Sequence, residues 1–194
     1  QGIKPFQPAT TMTEPISEVH CIDNMEFMKG IPDKFFDLAI VDPPYGIGIS
    51  SNPVRQQQHK KKDWDSAIPN NEYFEELFRV SKNQIIWGGN YFNLPASQGF
   101  LIWDKKQPED FSLAMCEFAW SSLQTPAKMW RYSVLTERDK IHPTQKPVAL
   151  YNWIVEKYAK QGDKILDPAE SVAEAFTNAA SIAKTLLMLE NFNY

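Results

Sequence analysis

The sequence is poor in the residues that build covalent or metal-held frameworks. Cys21 and Cys116 are its only cysteines, and they lie far apart, each inside an apolar segment. Neither a disulfide framework nor a CxxC metal site is therefore expected. The three histidines, His20, His59 and His142, are dispersed without metal-ligand spacing. We expect no metal site, and a reducing, intracellular setting fits this composition best.

Long apolar runs and an excess of positive charge are also missing. No apolar stretch approaches the length of a membrane span, and the first residues lack the pattern of a signal peptide, so we expect a soluble, cytoplasmic protein. The net charge of -4 does not favour nucleic acid, because DNA binding normally rests on Lys and Arg at phosphates. Any DNA-binding charge must then be local. The candidates are Lys60, Lys61, Lys62, Lys128, Arg131 and Arg138. Ordinary solvated surface is the open alternative for these residues.

The chain of 194 residues has the length and the 43% hydrophobic content of one well-packed domain. Residues 1–16 contain three prolines and favour neither helix nor sheet, which predicts an N-terminal arm before a domain over 17–194. Residues 46–70 have no helical or strand period and a Gln-rich, basic middle. This stretch is predicted to be a mobile basic loop.

Alternating strand and helix patterns predict a doubly wound α/β sheet. The near-continuous apolar run over 36–41 is typical of a strand buried on both faces. From Pro147, apolar residues recur at helical spacing. Further strands are predicted at 18–22, 84–87, 100–103, 117–120, 129–132, 164–166 and 186–189, and further helices at 71–80 and 171–184. Strand, helix and strand in succession imply right-handed crossovers.

The clearest site pattern, Asp42-Pro43-Pro44-Tyr45, directly follows the strand predicted at 36–41. Ligands of open α/β sheets bind beyond the carboxyl ends of the strands. The Asp42 carboxylate and the Pro43 carbonyl can accept hydrogen bonds from an exocyclic amine, and Tyr45 offers a face to a flipped base. Such acceptors would stabilise positive charge that develops on the amine nitrogen. A rigid turn that merely closes the strand is the alternative.

Six ordered segments carry a more specific pattern: Phe36–Gly46, Ile85–Phe92, Phe100–Lys105, Cys116–Trp120, His142–Pro147 and Ile165–Pro168. Together they resemble the bacterial and phage DNA amino-methyltransferases, over roughly residues 18–194. Their order, with the target-base motif before the cofactor motif, resembles the permuted group of that family. Asp rather than Ser at position 42 tilts the resemblance from cytosine-N4 toward adenine-N6 methylation.

The resemblance implies a Rossmann-like fold, S-adenosylmethionine as cofactor and double-stranded DNA as partner. It gives Asp42 and Tyr45, with the intervening prolines, the amine-binding and base-stacking roles. The cofactor-binding residues it implies are Thr144, Gln145, Lys146, Asp167, Pro168, Ser171 and Glu190. Residues 121–141 correspond to a small target-recognition segment. A homodimer is expected because relatives often dimerise.

The chain departs from the family at the cofactor turn. Residues 169–173 read Ala-Glu-Ser-Val-Ala, where the family has a Gly-rich turn that lets the cofactor approach the backbone closely. Lower cofactor affinity is therefore expected. The first alternative to adenine-N6 methylation is a catalytically impaired, DNA-binding relative. The second is a cytosine-N4 or RNA methyltransferase, or one that acts on a protein amide.

Overall fold

A six-stranded mixed sheet forms the centre of the structure, a computed structural model that describes residues 17–48, 67–110, 114–133, 136 and 146–168. The helices are α1 (Asn24–Lys29), α2 (Asn71–Val80) and α3 (Val148–Tyr158), with a 3-10 helix at Gly89–Tyr91. The strands are β1 (Phe36–Val41), β2 (Ser81–Trp87), β3 (Gly99–Asp104), β4 (Cys116–Ser121), β5 (Lys128–Arg131) and β6 (Ile165–Leu166).

The strands lie in the order β5-β3-β4-β2-β1-β6. β1 pairs in parallel with β2 and β6, and β3 pairs in parallel with β5. β4 is antiparallel to both β2 and β3. Five strands therefore run in one direction, and their carboxyl ends share one edge of the sheet with the start of β4. We call this the carboxyl edge and the opposite one the amino edge.

Both faces of the sheet are covered, because successive side chains of a strand point to opposite sides. Leu38 and Ile40 pack with Leu150, Tyr151, Ile154 and Val155 of α3. Ala39 and Val41 pack in the other cluster, with Met28 of α1 and with Tyr73, Phe74, Leu77 and Val80 of α2. Helices on both faces of a largely parallel sheet confirm the predicted doubly wound α/β architecture. None of the helices in the described ranges is long and apolar enough to cross a membrane.

Local capping explains where the first two helices begin. The Asp23 carboxylate accepts hydrogen bonds from the backbone N–H groups of Met25 and Glu26, at 2.9 and 3.0 Å. The Asn70 side chain accepts from the Tyr73 N–H at 3.0 Å. Each cap satisfies a donor that the first helical turn leaves unpaired. The start of α2 after Asn70 gives the helix the bounds predicted for it.

The structure confirms most of the predicted elements. β1 has the predicted bounds, and the other described strands agree to within three residues at each end. Trp87, Trp103 and Trp120, which lie on these strands, are buried. The strand predicted at 18–22 is wrong: these residues form no strand and are largely exposed. No described strand pairs with them, and a strand without ladder partners leaves its backbone to water. The elements predicted at 171–184 and 186–189, the arm at 1–16 and residues 49–66 of the predicted loop lie outside the described residues.

Candidate active site

Residues from separate parts of the chain meet at the carboxyl edge, and most of them have charged side chains. Asp42 comes directly after β1, Gly88 after β2 and Lys105 after β3. Glu117 is the second residue of β4, which begins at this edge because it runs against its neighbours. Lys146 lies just before α3. The topology therefore brings together residues that are up to 104 positions apart in sequence.

The Asp42 carboxylate is the centre of this group. Its side chain is 11% exposed, and it follows a strand whose last residue, Val41, is buried. Oδ1 accepts a hydrogen bond from the Tyr45 hydroxyl at 2.7 Å, and Oδ2 accepts one from Lys146 Nζ at 2.5 Å. Pro43 and Pro44 are buried or nearly so and restrict the backbone between the two functional side chains. Asp42 is thus held in one orientation from two sides.

Tyr45 packs against the turn that follows β2. Its ring stacks on Tyr91 with centroids 5.0 Å apart and planes 18° apart. Gly88 has a φ of +68°, and a Cβ atom there would lie 2.1 Å from Cε1 of Tyr45. Position 88 therefore needs glycine both for its left-handed backbone and for the ring beside it. Tyr91 covers one face of the Tyr45 ring and is itself 42% exposed.

Lys146 links two carboxylates inside the site. Besides Asp42, its Nζ contacts Glu117 Oε2 at 3.0 Å and donates to the Tyr45 hydroxyl at 3.1 Å. The other Glu117 oxygen, Oε1, lies 2.7 Å from Lys105 Nζ. Two carboxylates and two ammonium groups therefore alternate in a chain, and their formal charges cancel. We call these four residues, Asp42, Lys146, Glu117 and Lys105, the ion network.

Burial and charge act in opposite directions on the pKa values of this network. Burial lowers the pKa of Lys146, but Asp42 and Glu117 together raise it above the usual lysine range. Burial raises the pKa of Glu117, but Lys146 and Lys105 bring it down to about 2. Burial also raises the pKa of Asp42 above its ordinary value, which Lys146 counteracts and Glu117 reinforces. The asymmetry arises because Glu117 contacts two cations, whereas Asp42 shares its lysine.

The Tyr45 hydroxyl stays protonated over the whole working range of pH. Burial raises its pKa well above the ordinary value, and the negative charges of Asp42 and Glu117 raise it further. A protonated hydroxyl donates a hydrogen bond, and the carboxylate of Asp42 is its acceptor. Tyr45 therefore orients Asp42 as well as presenting an aromatic ring.

The structure places the predicted site residues as follows. Asp42, Pro43, Pro44 and Tyr45 lie together at the carboxyl edge, and Lys146 joins them there. Asp167 and Pro168 follow β6, which is next to β1 in the sheet. Lys128 and Arg131 lie at the two ends of β5, so only Arg131 is at the carboxyl edge, 3.3 Å from Asp104. The predicted residues outside the described ranges are Lys60, Lys61, Lys62, Arg138, Thr144, Gln145, Ser171 and Glu190.

Sequence reasoning did not assign Glu117, Lys105 or Tyr91 to the site. A detectable signal was present for Glu117, since it is an acidic residue in a strand whose last three residues are buried. An ionisable side chain in such a strand calls for a partner. Lys105 and Tyr91 lie inside the motif segments Phe100–Lys105 and Ile85–Phe92, and nothing local in the sequence sets their contacts.

This arrangement is equipped to bind a planar amine. Each carboxylate oxygen has two acceptor directions, so Asp42 keeps acceptor capacity after its bonds to Tyr45 and Lys146. Stacked tyrosine rings lie next to that carboxylate, where they favour an aromatic partner. A buried anion beside an amine would stabilise positive charge on the nitrogen.

Comparison with known proteins identifies the fold. No protein-family model matches the chain. It is 24% identical to the Type II methyltransferase M.HpaI of Haemophilus parainfluenzae, over 76% of this chain and 62% of that protein. The chain thus spans less than two thirds of the length of this relative. The crystal structure of M1.HpyAVI with SAM gives a TM-score of 0.48 at 14% identity, covering 89% of this chain and 97% of that one.

The crystal structure of TTHA0409 from Thermus thermophilus, assigned as a DNA modification methylase, gives a TM-score of 0.52 at 16% identity. The match covers 88% of this chain and 85% of that one. At this level of identity the likeness concerns the fold, and it agrees with the sheet order and the helices on both faces. The chain therefore shares its Rossmann-like α/β fold with TTHA0409.

Proposed function

We propose that this chain transfers a methyl group from S-adenosylmethionine to the N6 amine of adenine in DNA. The observation that carries the proposal is the buried Asp42 carboxylate, which is followed by Pro-Pro-Tyr at the carboxyl edge and lies beside a pair of stacked tyrosines. The similarity to a Type II methyltransferase supports the same reaction class. Asp at position 42 favours adenine over cytosine by the family resemblance.

Asp42 and Pro43 supply what a poorly nucleophilic amine requires. The lone pair of the adenine amine is delocalised into the ring, so both N–H groups need acceptors that draw the nitrogen toward tetrahedral geometry. We assign the Asp42 carboxylate and the Pro43 carbonyl to this task. As the nitrogen gains positive charge, Asp42 stabilises it and can hold the proton that leaves the amine.

Base flipping brings the target amine to this edge. An amine inside the duplex is out of reach, so the base has to leave the stack and find an aromatic surface. Tyr45 is the ring next to the acceptors, and Tyr91 covers it in the described arrangement. The proposal therefore requires Tyr91 to give way to the base. Its exposure and its place in a three-residue helix are consistent with this movement.

The cofactor side of the site lies toward β6. S-Adenosylmethionine supplies an electrophilic methyl group when bound. Asp167 and Pro168 follow β6, whose pairing with β1 puts them at the strand end next to Asp42, and a carboxylate suits the positively charged amino group of such a ligand. We assign them to the cofactor, together with Thr144, Gln145, Ser171 and Glu190 on the strength of the resemblance. The contacts of Lys146 with Asp42 and Glu117 favour a role toward the amine instead.

Among the described residues, few exposed cations lie at the carboxyl edge to contact DNA. Arg131 is exposed and lies at that edge, whereas Lys128 lies at the other end of β5. We therefore propose Arg131 as a DNA contact. Because salt dependence grows with the number of phosphates neutralised, binding through so few cations should weaken only moderately as salt is added.

One sequence feature favours a second candidate function. The altered turn at 169–173 lacks the family glycines, which supports a DNA-binding relative with impaired cofactor binding. That protein would bind DNA without responding to S-adenosylmethionine. The two candidates differ in a direct measurement, calorimetric titration of the purified chain with S-adenosylmethionine. Micromolar binding supports the enzyme, and no binding by a folded sample supports the impaired relative.

The deciding experiment is transfer of isotope-labelled methyl from S-adenosylmethionine to unmethylated bacterial DNA. The DNA is digested to nucleosides, which are resolved by mass spectrometry, so that N6-methyl-2′-deoxyadenosine and N4-methyl-2′-deoxycytidine are counted separately. Label in the adenine product that disappears with Asp42→Ala is the expected result. Label in cytosine would replace the adenine assignment, and undiminished transfer by Asp42→Ala would remove that residue from the mechanism.

A further inference from the structure

Lys146 is the cation that contacts the proposed amine acceptor. Its side chain is 3% exposed, and its Nζ lies 2.5 Å from Asp42 and 3.0 Å from Glu117. The rings of Tyr45 and Trp87 lie 5.5 and 5.4 Å from the same nitrogen, which adds favourable cation–π contacts. A long, flexible side chain loses considerable entropy when it is held like this. Such a well-defined place indicates more than solvation of a surface charge.

We propose that Lys146 is a positioning residue that keeps the Asp42 carboxylate anionic and oriented for the target amine, and that Glu117 holds Lys146 in that place. The inference rests on the proposed methyl transfer. A protonated Asp42 would lose both its negative charge and part of its acceptor capacity. The reaction then depends on a cation that never touches the transferred methyl group.

The geometry excludes Lys105 as a substitute for Lys146. Lys105 contacts Oε1 of Glu117, the oxygen away from Lys146, and it has its second favourable contact with the Trp103 ring at 5.3 Å. Its effect on Asp42 passes through Glu117. Lys105 therefore favours ionised Glu117, and ionised Glu117 in turn retains Lys146 between the two carboxylates.

Tyr45, Lys146 and Glu117 act directly on Asp42, each in a known direction. Tyr45 donates a hydrogen bond to it, Lys146 of the segment before α3 is the attracting charge, and Glu117 of β4 is the repelling one. Tyr91 of the 3-10 helix acts on Tyr45, and Tyr151 of α3 acts on Lys146. Removing Lys146 leaves a buried carboxylate with a like charge nearby, and removing the charge of Glu117 relieves Asp42 of that repulsion.

The test is the pH dependence of methyl transfer in four forms of the full chain: wild type, Lys146→Met, Glu117→Gln and the double variant. Lys146→Met should move the acid limb up by at least about one pH unit, which is a tenfold lower rate on the acid side. Glu117→Gln should move the limb down, because the Gln amide oxygen can still accept a hydrogen bond from Lys146 while Asp42 loses its like-charged neighbour. The acid limb of the double variant should lie between the acid limbs of Lys146→Met and wild type. Lys157→Met, at an exposed position in the last turn of α3, is the matched control and should not move it.

A merely structural role predicts a different result, with lower rates at every pH and an acid limb at the wild-type position. That outcome in Lys146→Met, or an upward shift in Glu117→Gln, overturns the proposal. If Lys146→Met does not fold, the direction of the shift in Glu117→Gln decides. Carbon-13 NMR titration of the Asp42 carboxyl, assigned from the spectrum of Asp42→Asn, measures the same shifts without turnover. Wild type without any methyl transfer therefore defeats the proposed function while the titration still tests the role of Lys146.

Discussion

Asp37 and Asp42 stand at opposite ends of β1, and each forms an ion pair with a lysine. Asp37 Oδ1 lies 2.6 Å from Lys82 at the amino edge, and Asp42 Oδ2 lies 2.5 Å from Lys146 at the carboxyl edge. The Lys82 side chain is 53% exposed, whereas that of Lys146 is 3% exposed. Burial raises the pKa of both carboxyls. Hydrogen bonds from Lys82 and the Lys164 backbone outweigh it at Asp37, whose pKa is lowered, but burial prevails at Asp42, whose pKa is raised.

The carboxyls of two ion pairs of nearly equal length thus have pKa values shifted in opposite directions. The two pairs differ in their access to water and not in their length. The amino edge contains charges that water solvates and whose removal costs little. The ion network at the carboxyl edge contains buried charges, which are compensated mainly by their neighbours. A preorganised buried anion is useful for chemistry and unfavourable for stability, so the two edges should respond differently to equivalent substitutions.

The largest expected difference concerns activity. Asp42→Ala should lower the rate of methyl transfer by about 100- to 1000-fold, the usual cost of removing one electrostatic group from an active site. Asp37→Ala, its counterpart at the amino edge, should leave the rate within about twofold of wild type, because it makes no contact at the site. Initial rates of label incorporation into DNA measure both. Equal losses in the two variants would contradict the functional distinction between the edges.

The next difference concerns the free energy of unfolding. Lys146→Met should lower it by about 3–5 kcal/mol, because two carboxylates lose the buried charge between them. Lys82→Met should cost about 0–1 kcal/mol, since its ion pair is largely solvated. Urea denaturation at neutral pH measures both values. A Lys146→Met protein as stable as Lys82→Met would mean that water already compensates the charges of the ion network.

A pair of glycines separates backbone strain from side-chain crowding. Gly88 at the carboxyl edge and Gly162, which precedes β6, both have positive φ, at +68° and +86°. Alanine at either position should cost about 1–2 kcal/mol for the left-handed backbone. Only Gly88→Ala also meets the Tyr45 ring, whereas a Cβ at position 162 has nothing within 4 Å. Gly88→Ala should therefore be less stable in urea than Gly162→Ala, and it should alter the near-UV circular dichroism of the stacked tyrosines. Equal behaviour of the two variants would show that the Tyr45 ring does not crowd position 88.

The smallest expected effect is the pH dependence of stability. A lowered pKa at Asp37 contributes stability that is present above the unfolded value, near 3.8, and is lost as the pH falls below it. A raised pKa at Asp42 has the opposite sign, so its contribution declines as the pH rises above about 3.8. As the pH falls below about 3.8, Asp37→Asn should therefore lose less of its free energy of unfolding than the wild type loses. As the pH rises above about 3.8, Asp42→Asn should lose less of it than the wild type loses. Urea midpoints measured from pH 3 to pH 6 test these signs, and identical profiles would show that neither carboxyl is shifted.

The elements set by local physics could be predicted and those set by pairing could not. The apolar run of β1 was sufficient for its bounds, and α2 begins and ends at the residues predicted for it. The strand predicted at 18–22 had the composition of a strand but has no described partner to complete its ladder. The position of Asp42 at the end of a buried strand was likewise predictable. Its partners were not, since Lys146 is 104 residues away and was assigned to the cofactor by resemblance.

The sequence by itself determined the doubly wound order of strands and helices, the place of Asp42 after β1 and the need for locally supplied positive charge. Those features follow from periodicity, capping and residue type along short stretches of chain. Only the tertiary structure decided that Lys146, Glu117 and Lys105 share one ion network and that Lys128 and Arg131 lie at different ends of β5. Charge compensation and burial depend on which strands are neighbours and in which direction they run. β4 brings Glu117 to the site because it alone among the described strands runs against the others.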